Sequence, residues 1–199
     1  FLKKRKGLID GVAITGGEPT LQPALESFCF RVKNMGFKIK VDTNGSRPDV
    51  LENLFRRELV DFIAMDIKSD LEGYKYLVNG TKNYNQTKNN KNRISTTTEI
   101  VAKTFDFALI LKSIKLIIEK SPAHEFRTTC VKPFITQAIM HKISKMIKGA
   151  SSYVLQHCSR NVKMFNPIFF QNYDPFFSDS EFEQLKNIAE SYGHNCSIR

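Results

Sequence analysis

Short runs rich in β-branched residues recur along this chain, and segments with apolar residues at helical spacing separate them. The runs cover residues 11–15, 38–43, 61–68, 125–131 and 152–156, and residues 195–199 could add a short closing strand. The helical segments cover residues 21–35, 48–57, 106–119, 136–147 and 179–192, the last with Ser178 or Asp179 as its cap. This alternation predicts repeated β/α units and a parallel sheet.

The ends of the predicted strands fall at regular intervals. Thr15 and Asp42 are 27 positions apart, Asp42 and Asp66 are 24 apart, and Thr129 and Gln156 are again 27 apart. A β/α barrel averages about 31 residues per unit, so this spacing suits consecutive barrel units. The longer gap after Asp66 contains residues 79–99, which are rich in Asn, Lys and Thr and predict a polar surface insert.

Length and composition fit one globular domain over residues 1–199, with 41% hydrophobic residues. No run reaches the roughly 18 apolar residues of a membrane span, and residues 1–11 lack the apolar core of a signal peptide. We therefore expect a cytoplasmic protein that does not contact a membrane. The net charge of +10 comes from lysines spread along the chain, which predicts a solvated basic surface and no nucleic-acid partner.

The cysteines lie far apart in the sequence, and no two of them have C-x-x-C spacing. They are Cys29, Cys130, Cys158 and Cys196. Free thiols in a reducing compartment are the simplest interpretation, and the cysteines predict no metal site.

The stretch "GVAITGGEPT" begins with the first predicted strand, which a glycine-rich loop with an acid follows. Gly16 and Gly17 leave the backbone open to close approach, and Pro19 stiffens the exit from the loop. Glu18 would repel a phosphate, whereas its carboxylate and the open carbonyls could bind an amine. The alternative is a plain turn, in which Glu18 complements the dipole of the following helix.

Polar residues also stand at the ends of the next two predicted strands, where a parallel β/α sheet places its ligand site. Asp42, Thr43 and Asn44 follow one another in "VDTNG", which could bind a ligand or form only a turn. Asp66 and Lys68 share one face of their strand because they are two positions apart. They could pair with each other or contact a ligand.

The fourth predicted strand adds a cation to this set. Arg127 shares a face with Glu125 and Thr129, and its guanidinium would suit a ligand carboxylate. A salt bridge to Asp66 or to the neighbours of Glu125 is the alternative. Together, an acid for an amine, a cation for a carboxylate and further polar groups for a ribose form a receptor for a zwitterionic nucleoside.

The motifs "GVAITGGEPTLQ", "KVDTNG", "DFIAMDIKS", "EFRTT" and "YVLQ", in this order, resemble the radical S-adenosylmethionine (radical SAM) superfamily. They are most similar to the activating proteins of anaerobic ribonucleoside-triphosphate reductase, of the pyruvate formate-lyase activase type. The resemblance implies an α/β fold, a partial (β/α)6-type TIM barrel that lacks its first strand and cluster loop in this chain.

The resemblance also assigns roles to the site residues. Gly16, Gly17, Glu18 and Pro19 would bind the methionyl amine of SAM. Asp42, with its neighbours Thr43 and Asn44, and Asp66 with Lys68 would contact the ribose and the methionyl carboxylate. Arg127 would have a similar role, and Gln156 would lie near the adenosine.

The implied activity is reductive cleavage of SAM to methionine and a 5′-deoxyadenosyl radical, which generates a glycyl radical on a partner enzyme. Anaerobic ribonucleoside-triphosphate reductase is the favoured partner, and another glycyl-radical enzyme such as pyruvate formate-lyase is the alternative. An electron donor such as flavodoxin or ferredoxin is implied, with a [4Fe–4S] cluster held by a C-x-x-x-C-x-x-C loop. The sequence has no such loop. It predicts either a truncated, inactive chain or a degenerate, non-catalytic SAM-binding domain.

Overall fold

The computed structural model describes residues 1–74, 106–159 and 174–199, and its centre is a six-stranded parallel sheet. The strands are β1 (Gly11–Ile14), β2 (Lys38–Thr43), β3 (Phe62–Asp66), β4 (His124–Cys130), β5 (Tyr153–His157) and β6 (Cys196–Ile198). Their order in the sheet follows their order in the chain, and each neighbouring pair is parallel. The α/β barrel-type fold class is therefore confirmed. The polar insert expected at 79–99 lies outside the described residues.

Helices connect most of the strands, as the sequence predicts. They are α1 (Leu25–Asn34), α2 (Pro48–Arg56), α3 (Phe107–Lys120), α4 (Gln137–Met146) and α5 (Asp179–Ser191). Side-chain caps start three of them, because Asp106, Thr136 and Ser178 each accept a hydrogen bond from a backbone amide of the first turn. Ser178, not Asp179, caps α5. In the described parts of the chain, no helix is long and apolar enough to cross a membrane.

The first helix is shorter than the segment 21–35 that the sequence predicts. A 3₁₀ turn at Pro19–Leu21 comes first, and α1 begins only at Leu25. Pro23 explains the break, because a proline disfavours helical backbone at the residue before it, here Gln22. The loop after β1 is therefore separated from α1 by a rigid turn.

Alternation along the strands gives the sheet two unlike faces. In β2, Ile39 and Val41 are buried in the core beneath the helices, whereas Lys40 and Asp42 lie half-buried on the other side. Full burial of one such aliphatic side chain is worth about 1.5–3 kcal/mol, so the apolar side fixes which residues point away from the helices. We call the side that carries Lys40 and Asp42 the polar face.

The outer edge of β1 has no strand beside it among the described residues. Unpaired strand edges promote association, and a charged side chain on the edge opposes it. We therefore predict that Ala13→Glu reduces self-association, because Ala13 is exposed and stands beside Lys40, which the new carboxylate can pair with. Light scattering at matched concentration measures the associated fraction. Ala138→Glu, at an exposed position on α4, changes the net charge equally and should have no effect; equal effects of the two variants would contradict the prediction.

His124 makes the fold sensitive to acid. Its Nε2 accepts a hydrogen bond from the Ser151 amide at 3.1 Å, which requires an unprotonated nitrogen, and burial lowers the pKa of this histidine. Because the folded-state pKa lies below the unfolded one, the contribution of His124 to stability is complete above about pH 6.5 and falls as the pH drops further.

The prediction is a larger loss of unfolding free energy between pH 7.5 and pH 5 in the wild type than in His124→Gln. The difference should not exceed about 1.4 kcal/mol per pH unit, the limit for one proton. Urea unfolding at the two pH values measures it. His141→Gln, at an exposed position, serves as the control and should follow the wild type. A wild type and a His124→Gln variant with the same pH dependence would disprove the role of His124.

Candidate functional site

A carboxylate joins the loops that follow β1 and β2. Glu18 Oε1 accepts hydrogen bonds from the Thr20 amide at 3.1 Å, the Thr20 hydroxyl at 2.5 Å and the Thr43 hydroxyl at 2.8 Å. Glu18 Oε2 accepts one from the Asn44 amide at 2.6 Å. We call these four residues the Glu18 clamp. It fixes the carboxyl ends of the two strands relative to each other.

The glycines before the clamp expose backbone. Gly16 and Gly17 have φ angles of +92° and +49°, which favour glycine, and no atom lies within 4 Å of where a Cβ would stand. A cavity of about 270 Å³ opens beside them, lined among others by Ile14, Pro19 and Phe28. Backbone groups of this loop are therefore accessible to a ligand.

A second cluster lies on the polar face, centred on Arg127. Its Nε donates to Asp66 Oδ1 at 2.9 Å, and its Nη1 lies 3.3 Å from Asp42 Oδ1. Lys68 Nζ donates to Asp66 Oδ2 at 2.9 Å. We call these four residues the Arg127 cluster. Both pairings that the sequence left open, Asp66 with Lys68 and Asp66 with Arg127, are present in the free protein.

The cluster rests on a buried carboxylate that the sequence had not singled out as a site residue. Glu125 is 3% exposed, and cations surround it: Lys40 Nζ at 3.2 Å, Arg199 Nη1 at 3.2 Å and Arg127 Nη1 at 4.0 Å. The alternation of "KIKVDT" places Lys40 on the same face as Asp42, which was a usable signal. No sequence signal predicted the contact from Arg199 to Glu125, because this contact depends on the position of β6 in the sheet.

The charges of the cluster keep Arg127 a cation. Burial alone would lower the pKa of its guanidinium, but the carboxylates of Asp66 and Asp42 outweigh burial and raise the pKa. Asp42 Oδ1 is buried and, despite the nearby guanidinium, accepts no hydrogen bond of acceptable geometry from the described residues. Buried oxygens are rarely left in this state, so Asp42 can accept a donor from a ligand.

The two clusters meet in β2, where Asp42 and Thr43 are neighbours. Gln156, the last residue that the sequence placed in the site, stands on the polar face beside Thr129, one strand beyond Arg127. Within the described part of the chain its side chain makes no hydrogen bond to either cluster. The structure thus brings the predicted residues of the first four strands together and leaves Gln156 at the margin.

The loop after β3 is held by residues that the sequence did not reveal. The Lys68 amide donates to the Tyr74 hydroxyl at 2.9 Å, and the ring of Tyr74 packs against Phe107 at the start of α3. Asp70, which is buried, accepts from Lys142 Nζ of α4 at 2.7 Å. These contacts hold the loop after β3, and with it the backbone of Lys68, in a defined position.

A comparison with protein-family models identifies the family to which these motifs belong. The model of the radical SAM superfamily matches residues 1–121, which is more than half of the chain. The chain belongs to the radical SAM superfamily. Membership implies SAM and a [4Fe–4S] cluster as cofactors of the superfamily.

Individual proteins and solved structures are also similar to this chain. A protein of Methanocaldococcus jannaschii, provisionally named as a glycyl-radical enzyme activating enzyme, is 30% identical over 197 residues, which are 96% of this chain and 70% of that protein. The crystal structure of a domain of a pyruvate-formate lyase-activating enzyme from Bacteroides vulgatus matches with a TM-score of 0.64 and 17% identity, over 96% of this chain and 99% of that one. Streptococcus suis SuiB bound to S-adenosylmethionine matches with a TM-score of 0.59 and 11% identity, over 99% of this chain and 39% of that one. The structural matches show the shared fold.

The two implied cofactors fit the described residues differently. The open backbone at Gly16 and Gly17, the unbonded Asp42 oxygen and the cationic Arg127 suit a zwitterion such as SAM. A [4Fe–4S] cluster needs thiolates, but burial raises the pKa of Cys29 to about 11 and that of Cys130 and Cys196 to about 12. No group of three metal-binding side chains occurs in residues 1–74, 106–159 and 174–199. The described residues therefore do not fit the cluster.

Arg127 should be the most costly side chain of the site to remove. Arg127→Met leaves three carboxylates without their shared cation, and we predict a loss of about 2–4 kcal/mol in unfolding free energy, because an uncompensated buried charge is expensive. Urea unfolding measures it. Arg47→Met is the matched control: Arg47 also binds an aspartate, Asp49, but both are exposed, so the loss should stay below about 1 kcal/mol. Equal losses of unfolding free energy in the two variants would show that the Arg127 cluster stabilises the fold no more than an exposed ion pair does.

Proposed function

We propose that this chain is the SAM-binding part of a radical SAM enzyme that generates a glycyl radical on a partner enzyme, and that this partner is anaerobic ribonucleoside-triphosphate reductase. The observation that carries the proposal is the meeting of the Glu18 clamp and the Arg127 cluster at the carboxyl ends of neighbouring strands. In parallel β/α sheets this edge is where ligands bind. The relationship to the M. jannaschii protein supports the activating role.

The proposed binding mode uses charge complementarity. The amine of SAM would bind carbonyls of Gly16 and Gly17 and the remaining lone pair of Glu18 Oε2, which accepts one hydrogen bond from the described residues. The methionyl carboxylate would bind Lys68 or Arg127, whose charges the cluster maintains. Asp42 Oδ1 would accept from a ribose hydroxyl. Gln156 would lie beyond these, on the adenosine side.

When bound, SAM would supply reductive cleavage by one electron to methionine and a 5′-deoxyadenosyl radical, and hydrogen-atom transfer from a glycine of the partner would give 5′-deoxyadenosine and the glycyl radical. The chain's own residues have the tasks of orienting SAM and of keeping its charges paired. A flavodoxin or ferredoxin would supply the electron. The described residues supply no ligands for the iron–sulfur cluster, so no step through that cluster is assigned to them.

The test is formation of both products under anaerobic conditions. The native protein, reconstituted with iron and sulfide, is mixed with SAM, a reductant and either anaerobic ribonucleoside-triphosphate reductase or pyruvate formate-lyase. We expect 5′-deoxyadenosine by chromatography and a glycyl radical by electron paramagnetic resonance on the reductase. A radical on pyruvate formate-lyase alone would identify that enzyme as the partner instead.

Two variants separate the site from the rest of the protein. Asp66→Asn removes the carboxylate that holds the Arg127 and Lys68 side chains in place, and we expect SAM to bind about tenfold more weakly, because the two cations that would bind its carboxylate lose their fixed positions. Asp10→Asn makes the same change at an exposed position at the far end of β1 and should behave as the wild type. Absence of 5′-deoxyadenosine with the wild type would refute the enzymatic proposal and favour a non-catalytic SAM-binding domain.

A further inference from the structure

Thr43 links the two loops through one hydroxyl. Thr43 is 4% exposed; its Oγ1 donates to Glu18 Oε1 at 2.8 Å and accepts from the Gly45 amide at 3.0 Å. A threonine hydroxyl has one proton and two lone pairs, so both contacts can exist together. The position of Glu18 is thereby tied to the turn that follows β2.

That turn is itself anchored in the core. The Ser113 hydroxyl of α3, fully buried, donates to the Gly45 carbonyl at 2.7 Å. Gly45 has a φ of +77°, and a Cβ at this position would overlap the Met65 side chain of β3. The turn therefore cannot shift without disturbing both α3 and β3, and Thr43 transmits this fixed position to Glu18.

The bonding of Glu18 is asymmetric, and Thr43 contributes to that asymmetry. Oε1 already accepts three hydrogen bonds, which leaves it no capacity for a ligand. Oε2 accepts one, from Asn44. If the Thr43 hydroxyl were absent, only the bonds from Thr20 and from the Asn44 amide would oppose rotation of the carboxylate about its terminal torsion, which is soft, so the directions of both oxygens would be less well defined.

We propose that Thr43 is a positioning residue for ligand binding: its hydroxyl fixes the Glu18 carboxylate so that Oε2 alone faces the amine of SAM. The inference rests on the proposed function for its ligand. The positioning itself is a property of the free protein, so the two can fail separately.

The experiment compares Thr43→Val, which keeps the shape and removes the hydroxyl, with Thr43→Ser, which keeps the hydroxyl. Amide hydrogen exchange by NMR is measured on the free protein, and SAM affinity by calorimetry. In Thr43→Val we expect exchange at the Thr20 and Asn44 amides, which bond to Glu18 and not to Thr43, to accelerate about tenfold or more. SAM should bind about tenfold more weakly. Thr43→Ser should resemble the wild type in both measurements.

Thr128→Val is the matched control, because Thr128 is also buried and its hydroxyl donates to a backbone carbonyl, that of Ile67. Thr128→Val should lower the free energy of unfolding about as much as Thr43→Val does and leave the exchange rates of the Thr20 and Asn44 amides unchanged. An unchanged exchange rate of the Thr20 amide in Thr43→Val would overturn the positioning role, whatever the affinity for SAM. Faster exchange with unaltered SAM affinity would overturn the link to the ligand and leave the proposed function standing. No binding to the wild type at millimolar SAM would instead refute the proposed function, and amide exchange alone would then decide the positioning role.

Discussion

Three carboxylates, those of Asp42, Asp66 and Glu125, project from three neighbouring strands onto one face of the sheet, and a single guanidinium lies among them. Their mutual repulsion would be severe away from water if Arg127 did not neutralise it. Lys40, Lys68 and Arg199 add charge at the margins. The polar face is stable because four cations pair with three carboxylates, and a ligand with charges of both signs would exchange partners with them.

This charge pairing also explains why the site is preformed. The Arg127 cluster makes its internal pairs in the free protein, so ligand binding would exchange some ion pairs for others and would not have to order the side chains first. The Glu18 clamp contributes in a different way, since its hydrogen bonds fix loops and not charges. One cluster supplies the electrostatic environment, and the other supplies the shape of the backbone next to it.

The sequence predicted the sheet because the relevant signals are local. Alternation in β2 shows which residues share a face, and β/α repetition shows that sequential strands are neighbours. From these two facts the meeting of Asp42, Asp66 and Arg127 follows. The partners of Glu18 did not follow, because hydroxyls such as that of Thr20 form turns and caps in many loops. The pair of Lys40 with Glu125 joins residues 85 positions apart and depends on strand register, which no local pattern encodes.

The reason for a glycine at position 45 lies in the interior of the protein and cannot be read from the motif. A glycine beside candidate ligand-binding residues invites the interpretation that a ligand comes close to its backbone. Here the space that a side chain would need is already filled by Met65 and bordered by Ser113, both from the interior. Intolerance to substitution at this position in a mutational scan would thus have two causes inside the fold, the close packing of helix and sheet and the φ of +77°, and room opened at Met65 would remove only the first while the ligand-facing residues remain untouched.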